Sequence, residues 1–271
     1  MFSFSLLTTI IIAVSLAAVL CGYHYLTQIV TEHCSTITPY TFLTSAGVTS
    51  EPSPSILIVA GTHGNEPAGA VALNRLKDMF ETGELVLQRG SLTLIPEMNK
   101  CGLNMGIRWQ PAQLLRFTKP DLNRNYPKTP GEEAGCPISK TVTSLADSHD
   151  LVIDLHEGWG WALKNKHSMG SGVYSANLPI SQHLADIMTE EVNTHAIPQG
   201  LPPFIHQRDY KDIPGTLRWH CNGTNKNYIL IETSGQNNIQ PIDTRANQHL
   251  TMIIKALDTL DMIKTQPPFQ I

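Results

Sequence analysis

His63 and Glu66 stand three residues apart in Gly61-Thr-His-Gly-Asn-Glu66. In a glycine-containing turn, that spacing lets one imidazole and one carboxylate converge on a single cation. A third donor is needed, and His156, at the end of the apolar run Leu151-Val-Ile-Asp-Leu155, is the best placed. Two histidines and one glutamate with a fourth position open make the ligand set of a catalytic rather than a structural zinc, so one Zn2+ per chain is expected. Asp154, two residues before His156 and on the same strand face, is expected to orient a ligand imidazole. Glu232 ends another apolar run, Tyr228-Ile-Leu-Ile231, where partial desolvation would lift a carboxyl pKa towards neutrality, as a general base requires. Glu157 competes for that role, but on a strand it points away from the face of His156.

Each of these signals is weak alone, since His-x-x-Glu also suits a helix cap and an isolated histidine is more often a core residue. Their weight comes from the elements that deliver them. Ile56-Leu-Ile-Val-Ala60 is a short, mostly β-branched run typical of a strand buried on both faces. Pro67 then suits the first turn of a helix to about residue 80. Further strands are expected at 92–95, 151–155 and 228–231, and helices at 138–148, 179–194 and 244–264. This alternation defines an α/β domain with a mixed, mostly parallel twisted sheet and helices on both faces. In such sheets ligands bind beyond the carboxyl ends of the strands, where three independent segments here place His63 and Glu66, His156, and Glu232.

Read together, His63-x-x-Glu66, Arg116 followed by Asp121-Leu-Asn-Arg124, Asp154-Leu-His156 and Ile231-Glu232-Thr233 resemble the zinc carboxypeptidase superfamily, within it the succinylglutamate desuccinylase/aspartoacylase branch. The resemblance covers about residues 56 to 262 and keeps the order of the motifs. It implies a zinc-carboxypeptidase-like fold, zinc on His63, Glu66 and His156, and Glu232 as the base that takes a proton from water and returns it to the leaving amine. It also implies that Arg116 polarises the scissile carbonyl and that Asn123 and Arg124 grip a substrate carboxylate, a task suited to the planar guanidinium. Arg218 is a second candidate anion contact, Tyr210 and Tyr228 are candidates for the family's substrate tyrosine, and Arg245 is expected to brace the closing helix. The branch's β-rich region after the base has no counterpart in the 39 residues after Glu232, so an open pocket is expected. The implied activity is hydrolysis of an amide bond beside a carboxylate in a small-molecule or peptide substrate, by an N-acyl amino acid deacylase. The alternatives are a membrane-associated metallocarboxypeptidase and a non-catalytic, membrane-tethered binding module.

The remaining composition bounds this reading. The 271 residues carry a formal charge of -4 and no run of Lys or Arg, which excludes the electrostatic footprint of a nucleic-acid binder. Residues 1–31 contain no Lys, Arg, Asp or Glu. They read as a transmembrane anchor or uncleaved signal, with a cleaved signal peptide as the rival, and the positive-inside rule sets no orientation because the next basic residue is Arg75. Residues 32–55 read as a connector with one edge strand in Tyr40-Thr-Phe-Leu-Thr44, and 56–271 as the catalytic domain. Cys34, Cys101, Cys136 and Cys221 show no CxxC spacing and allow three disulfide pairings or none. No Gly-x-Ser-x-Gly follows any strand, which disfavours a serine hydrolase.

Overall fold

The computed structural model describes residues 4–44, 53–116, 118–208, 210–236 and 238–265. A long helix α1 (Phe4–Cys34) leads into strand β1 (Tyr40–Leu43), followed by β2 (Ser55–Ala60), α2 (Ala68–Glu81), β3 (Leu85–Leu87) and β4 (Ser91–Ile95). Two short helices follow, α3 (Lys100–Met105) and α4 (Pro111–Leu115), then α5 (Pro137–Ser148), β5 (Leu151–Trp159), β6 (Gly172–Ser175), α6 (Pro179–His195) and β7 (Ile205–Gln207). The order closes with α7 (Leu217–Gly223), β8 (Asn227–Gln236), α8 (Ile242–Thr259) and β9 (Ile263–Thr265).

Seven strands form one sheet in the order β1-β4-β2-β5-β8-β6-β7. Its centre, β4, β2, β5 and β8, is parallel, and β1 and β6 join antiparallel. The apolar runs form the centre because every residue from Ile56 to Ala60 is completely buried, each large side chain contributing roughly 1.5–3 kcal/mol of transfer free energy. Period-2 alternation then splits the core. Ile56, Ile58, Leu151, Ile153 and Ile231 pack under α2, α6 and α8, while Leu57, Val59, Val152 and Leu230 pack under α5 and α7. Helices thus cover both faces, as the α/β reading requires.

Several boundaries differ from expectation. Strands β5 and β8 run on to Trp159 and Gln236, because their polar C-terminal halves keep the ladder while losing the apolar signal. The last helix stops at Thr259, and Asp261 at φ 53° turns the chain into β9, which pairs with β3. Helix α1 continues to Cys34, and Cys34 is disulfide-bonded to Cys101, leaving Cys136 and Cys221 buried as free thiols.

Candidate active site

The turn after β2 carries the first two donors. Gly61 adopts φ +67°, a conformation that costs glycine little, and Gly64 lies against the backbone of Gly102 and Ile107 so closely that a Cβ would come within 2.0 Å of Gly102 C. The turn is pressed onto α3, and His63 and Glu66 are left only 3% exposed each. His156 enters from β5, its Nδ1 3.2 Å from His63 Nδ1 and 2.9 Å from Glu66 Oε2, while Glu66 Oε1 lies 2.9 Å from His63 Nδ1. One donor atom from each of the three residues fits within a 4.8 Å span. Two imidazole nitrogens and a carboxylate oxygen gathered at one buried point could hold a metal ion, and nitrogen and oxygen donors in this number suit zinc. Burial works against the Glu66 charge, but His63 and His156 hold its carboxyl well below the usual range.

Carboxylates stand behind both imidazoles. His63 Nε2 lies 3.1 Å from Asp121 Oδ1, and Asp121 is in turn held by Arg108, with Nη2 3.0 Å from Oδ2. His156 Nε2 lies 3.2 Å from Asp154 Oδ1, an ion-pair distance without hydrogen-bond alignment, and Tyr228 Oη donates to the other Asp154 oxygen at 2.8 Å. Asp154 is therefore where the sequence reading put it, and Asp121 is an orienting group that reading did not single out.

Glu232 is the register partner of His156 on the neighbouring parallel strand, so both project from the same face at the carboxyl end of the sheet. Its carboxyl makes no side-chain hydrogen bond among the described residues, and desolvation raises its pKa to about 8, against the favourable charge of His156. Glu157 lies on the opposite face. Its carboxylate accepts the Ala68 backbone N–H at 2.6 Å, at the start of α2, and pairs with the buried Arg245 of α8. Those two partners occupy the group that competes for the base role, and Arg245 braces α8 as expected.

A cavity of about 230 Å³ opens over the three donors and Glu232, and Arg108, Asn123, Arg124, Tyr210 and Arg218 line it. Asn123 Oδ1 accepts the Leu217 N–H at 3.1 Å, which fixes α7 and leaves the amide nitrogen for a ligand. Arg218 is buried, pairs with Asp212 through Nε at 2.8 Å, and keeps Nη1 without a hydrogen-bond partner. Tyr210 packs on Arg218, with 5.2 Å from the guanidinium carbon to the ring centre, whereas Tyr228 is committed to Asp154. A surface groove of about 990 Å³ between α6 and α8 is larger but includes none of these residues.

Arg116 is not brought to the cavity. It ends the short helix begun by Pro111 and is exposed at that corner, while Arg108 faces the donors instead, its Nη1 3.5 Å from Glu66 Oε1. Arg108 sits in Gly106-Ile-Arg-Trp109, outside every motif, and nothing in the sequence marks it. A second arrangement invites comparison with a serine hydrolase: Ser175 Oγ is 2.8 Å from His206 Nε2, and His206 Nδ1 is 2.6 Å from Asp186. Ser175 is 2% exposed and shares the strand face of Val173, under α6, so this chain ties β7 to α6 and presents no nucleophile.

The fold and site define a carboxypeptidase-like α/β protein. Residues 52–163 match the model of the succinylglutamate desuccinylase/aspartoacylase catalytic domain. Over 106 residues, 39% of this chain and 29% of the other, it is 29% identical to the N-alpha-acetyl-L-2,4-diaminobutyric acid deacetylase of Halomonas elongata. The cell shape determinant protein Csd4 of Helicobacter pylori superposes with a TM-score of 0.68 at 19% identity, over 87% of this chain and 57% of that one, and has also been solved with a tripeptide bound. A succinylglutamate desuccinylase from a Silicibacter species superposes with a TM-score of 0.55 at 17% identity, over 87% of this chain and 63% of that one. The chain thus spans less than two thirds of the length of these relatives.

Proposed function

We propose that the protein is a zinc-dependent hydrolase that cleaves an amide bond next to a substrate carboxylate, as an N-acyl amino acid deacylase. The observation that carries this reading is the meeting of His63, Glu66 and His156 at one buried point beside the pKa-raised Glu232. Zinc held by these residues would polarise the scissile carbonyl and make water a stronger acid. Glu232, buried and without a competing side-chain hydrogen bond among the described residues, takes the proton of the attacking water and returns it to the leaving amine. Arg108 replaces Arg116 in the role of stabilising the carbonyl oxygen as charge develops on it. Asn123 and Arg124 hold the substrate carboxylate, and Arg218, with one buried guanidinium nitrogen free, offers a second anion contact.

Peptide trimming by the same chemistry is the second reading, and it is favoured by the likeness in fold to a protein solved with a bound tripeptide. A screen of the full chain against N-acetyl and N-succinyl amino acids and short peptides, with and without chelator, separates the two. The proposal expects chelator-sensitive release of the acyl group. Cleavage of peptides alone would establish the second reading, and chelator-insensitive turnover would overturn both.

A further inference from the structure

Ile12, Val14, Leu16, Val19 and Leu20 of α1 are 57–67% exposed, on a helix whose segment Ile12–Cys34 is long and apolar enough to span a bilayer. So much uncharged surface on an isolated helix is unstable in water and stable in hydrocarbon. The outer end of α1, in contrast, is built into the catalytic domain. Tyr23 Oη donates to the carbonyl of Leu115, Gln110 Nε2 donates to the carbonyl of Cys34 at 2.8 Å, and Cys34 is bonded to Cys101 of α3. Val30 packs with Cys34, Cys101 and Ala112, and six residues after Cys34 the chain enters the sheet as β1 at Tyr40.

We propose that α1 crosses the membrane as a retained anchor, with the catalytic domain stapled to its end on the oxidising face and the C-terminal end of α4 seated in the bilayer interface. The contacts set the depth. The stretch of the apolar segment from Tyr23 to Cys34 is held by the domain, so the crossing falls to the part of α1 before Tyr23 and Tyr25, whose side chains favour the interface. Tyr23 is the residue bonded to the end of α4, where Leu114 is 47% exposed among the described residues. The disulfide sets the side, because such a bond persists in oxidising compartments and is reduced in the cytosol. A cleaved leader would remove the helix to which the domain is bonded.

Two readouts on the full chain test this, and neither depends on catalysis, so they stand or fall apart from the proposed reaction. Membranes from expressing cells are denatured and alkylated with a maleimide-polymer. Three adducts, at Cys21, Cys136 and Cys221, are expected without reductant and five with it, whereas five without reductant would overturn the placement. In phosphatidylcholine vesicles with brominated acyl chains, Leu114→Trp should add tryptophan emission that is blue-shifted and mostly quenched relative to the unsubstituted chain. Added emission that escapes the bromolipid and is quenched by aqueous iodide would place α4 in water and overturn the seating.

Discussion

Glu232 and Glu157 lie on adjacent strands and differ chiefly in which face they use. Burial raises Glu232 to about 8 and Glu157 to about 7, and both line the cavity, but the Glu157 carboxylate is taken up by the Ala68 N–H and Arg245 whereas that of Glu232 makes no side-chain hydrogen bond among the described residues. Glu232→Gln is expected to lower kcat by roughly 10²–10⁴ with zinc content unchanged, since it removes proton transfer and spares the ligands. A base works deprotonated, so kcat/KM should rise with pH through the pKa of Glu232, at or below about 8 because bound zinc favours the carboxylate, and flatten above it. The residual rate of Glu232→Gln should lack that limb. The arginines give a second test. Arg108→Ala should cost roughly 10²–10³ in kcat, and Arg116→Ala little, as steady-state kinetics will show. At this scale the convergence of His63, Glu66, His156 and Glu232 is legible because each follows an apolar strand, whereas the place of Arg108 is not, because a lone arginine in a loop carries no periodic signal. Asp121 was visible as part of Asp-Leu-Asn-Arg, but its role depends on a contact with a residue 58 positions away.

The elements explain why the donors hold their places. The β2 turn is wedged between sheet and α3, and the wedge depends on Gly64 having no side chain. Gly64→Ala must push the turn off Gly102 and Ile107, separating His63 and Glu66 from His156. Zinc affinity measured by competition with a chromogenic chelator should fall by at least tenfold, and unchanged affinity would show that the turn can yield. Most of the central strands and long helices could be read from apolar runs and periodicity. The short strands β6, β7 and β9 could not, since three or four residues hold no decisive pattern and their pairing is set by distant partners. The ends of β5 and β8 were cut short for the reason that makes them functional: polar residues replace the apolar ones where the strands reach the site.

For the whole molecule, the sheet buries chemistry on one face and supports it from the other. His249 of α8 lies on the supporting side, completely buried beside Thr233, and desolvation lowers its pKa to about 3. It is neutral when folded and titrates near 6.5 when unfolded, so below pH 6.5 the unfolded chain binds the extra proton. Stability should therefore fall on acidification from about 6.5 towards 3, by up to about 1.4 kcal/mol per pH unit from this group. Urea midpoints of the detergent-solubilised chain should show that slope reduced by one proton in His249→Gln. The mostly parallel sheet covered on both faces was legible from strand and helix alternation, but the Cys34–Cys101 bond that joins α1 to this body was not, because cysteine count alone allows three pairings. The central claim is that His63, Glu66 and His156 jointly hold one catalytic zinc. Metal analysis of the purified full chain by mass spectrometry, paired with turnover, tests it most directly: one zinc per chain is predicted, with metal and activity lost together in His156→Ala and both intact in Arg116→Ala. A purified chain that turns over substrate without stoichiometric metal would contradict the account.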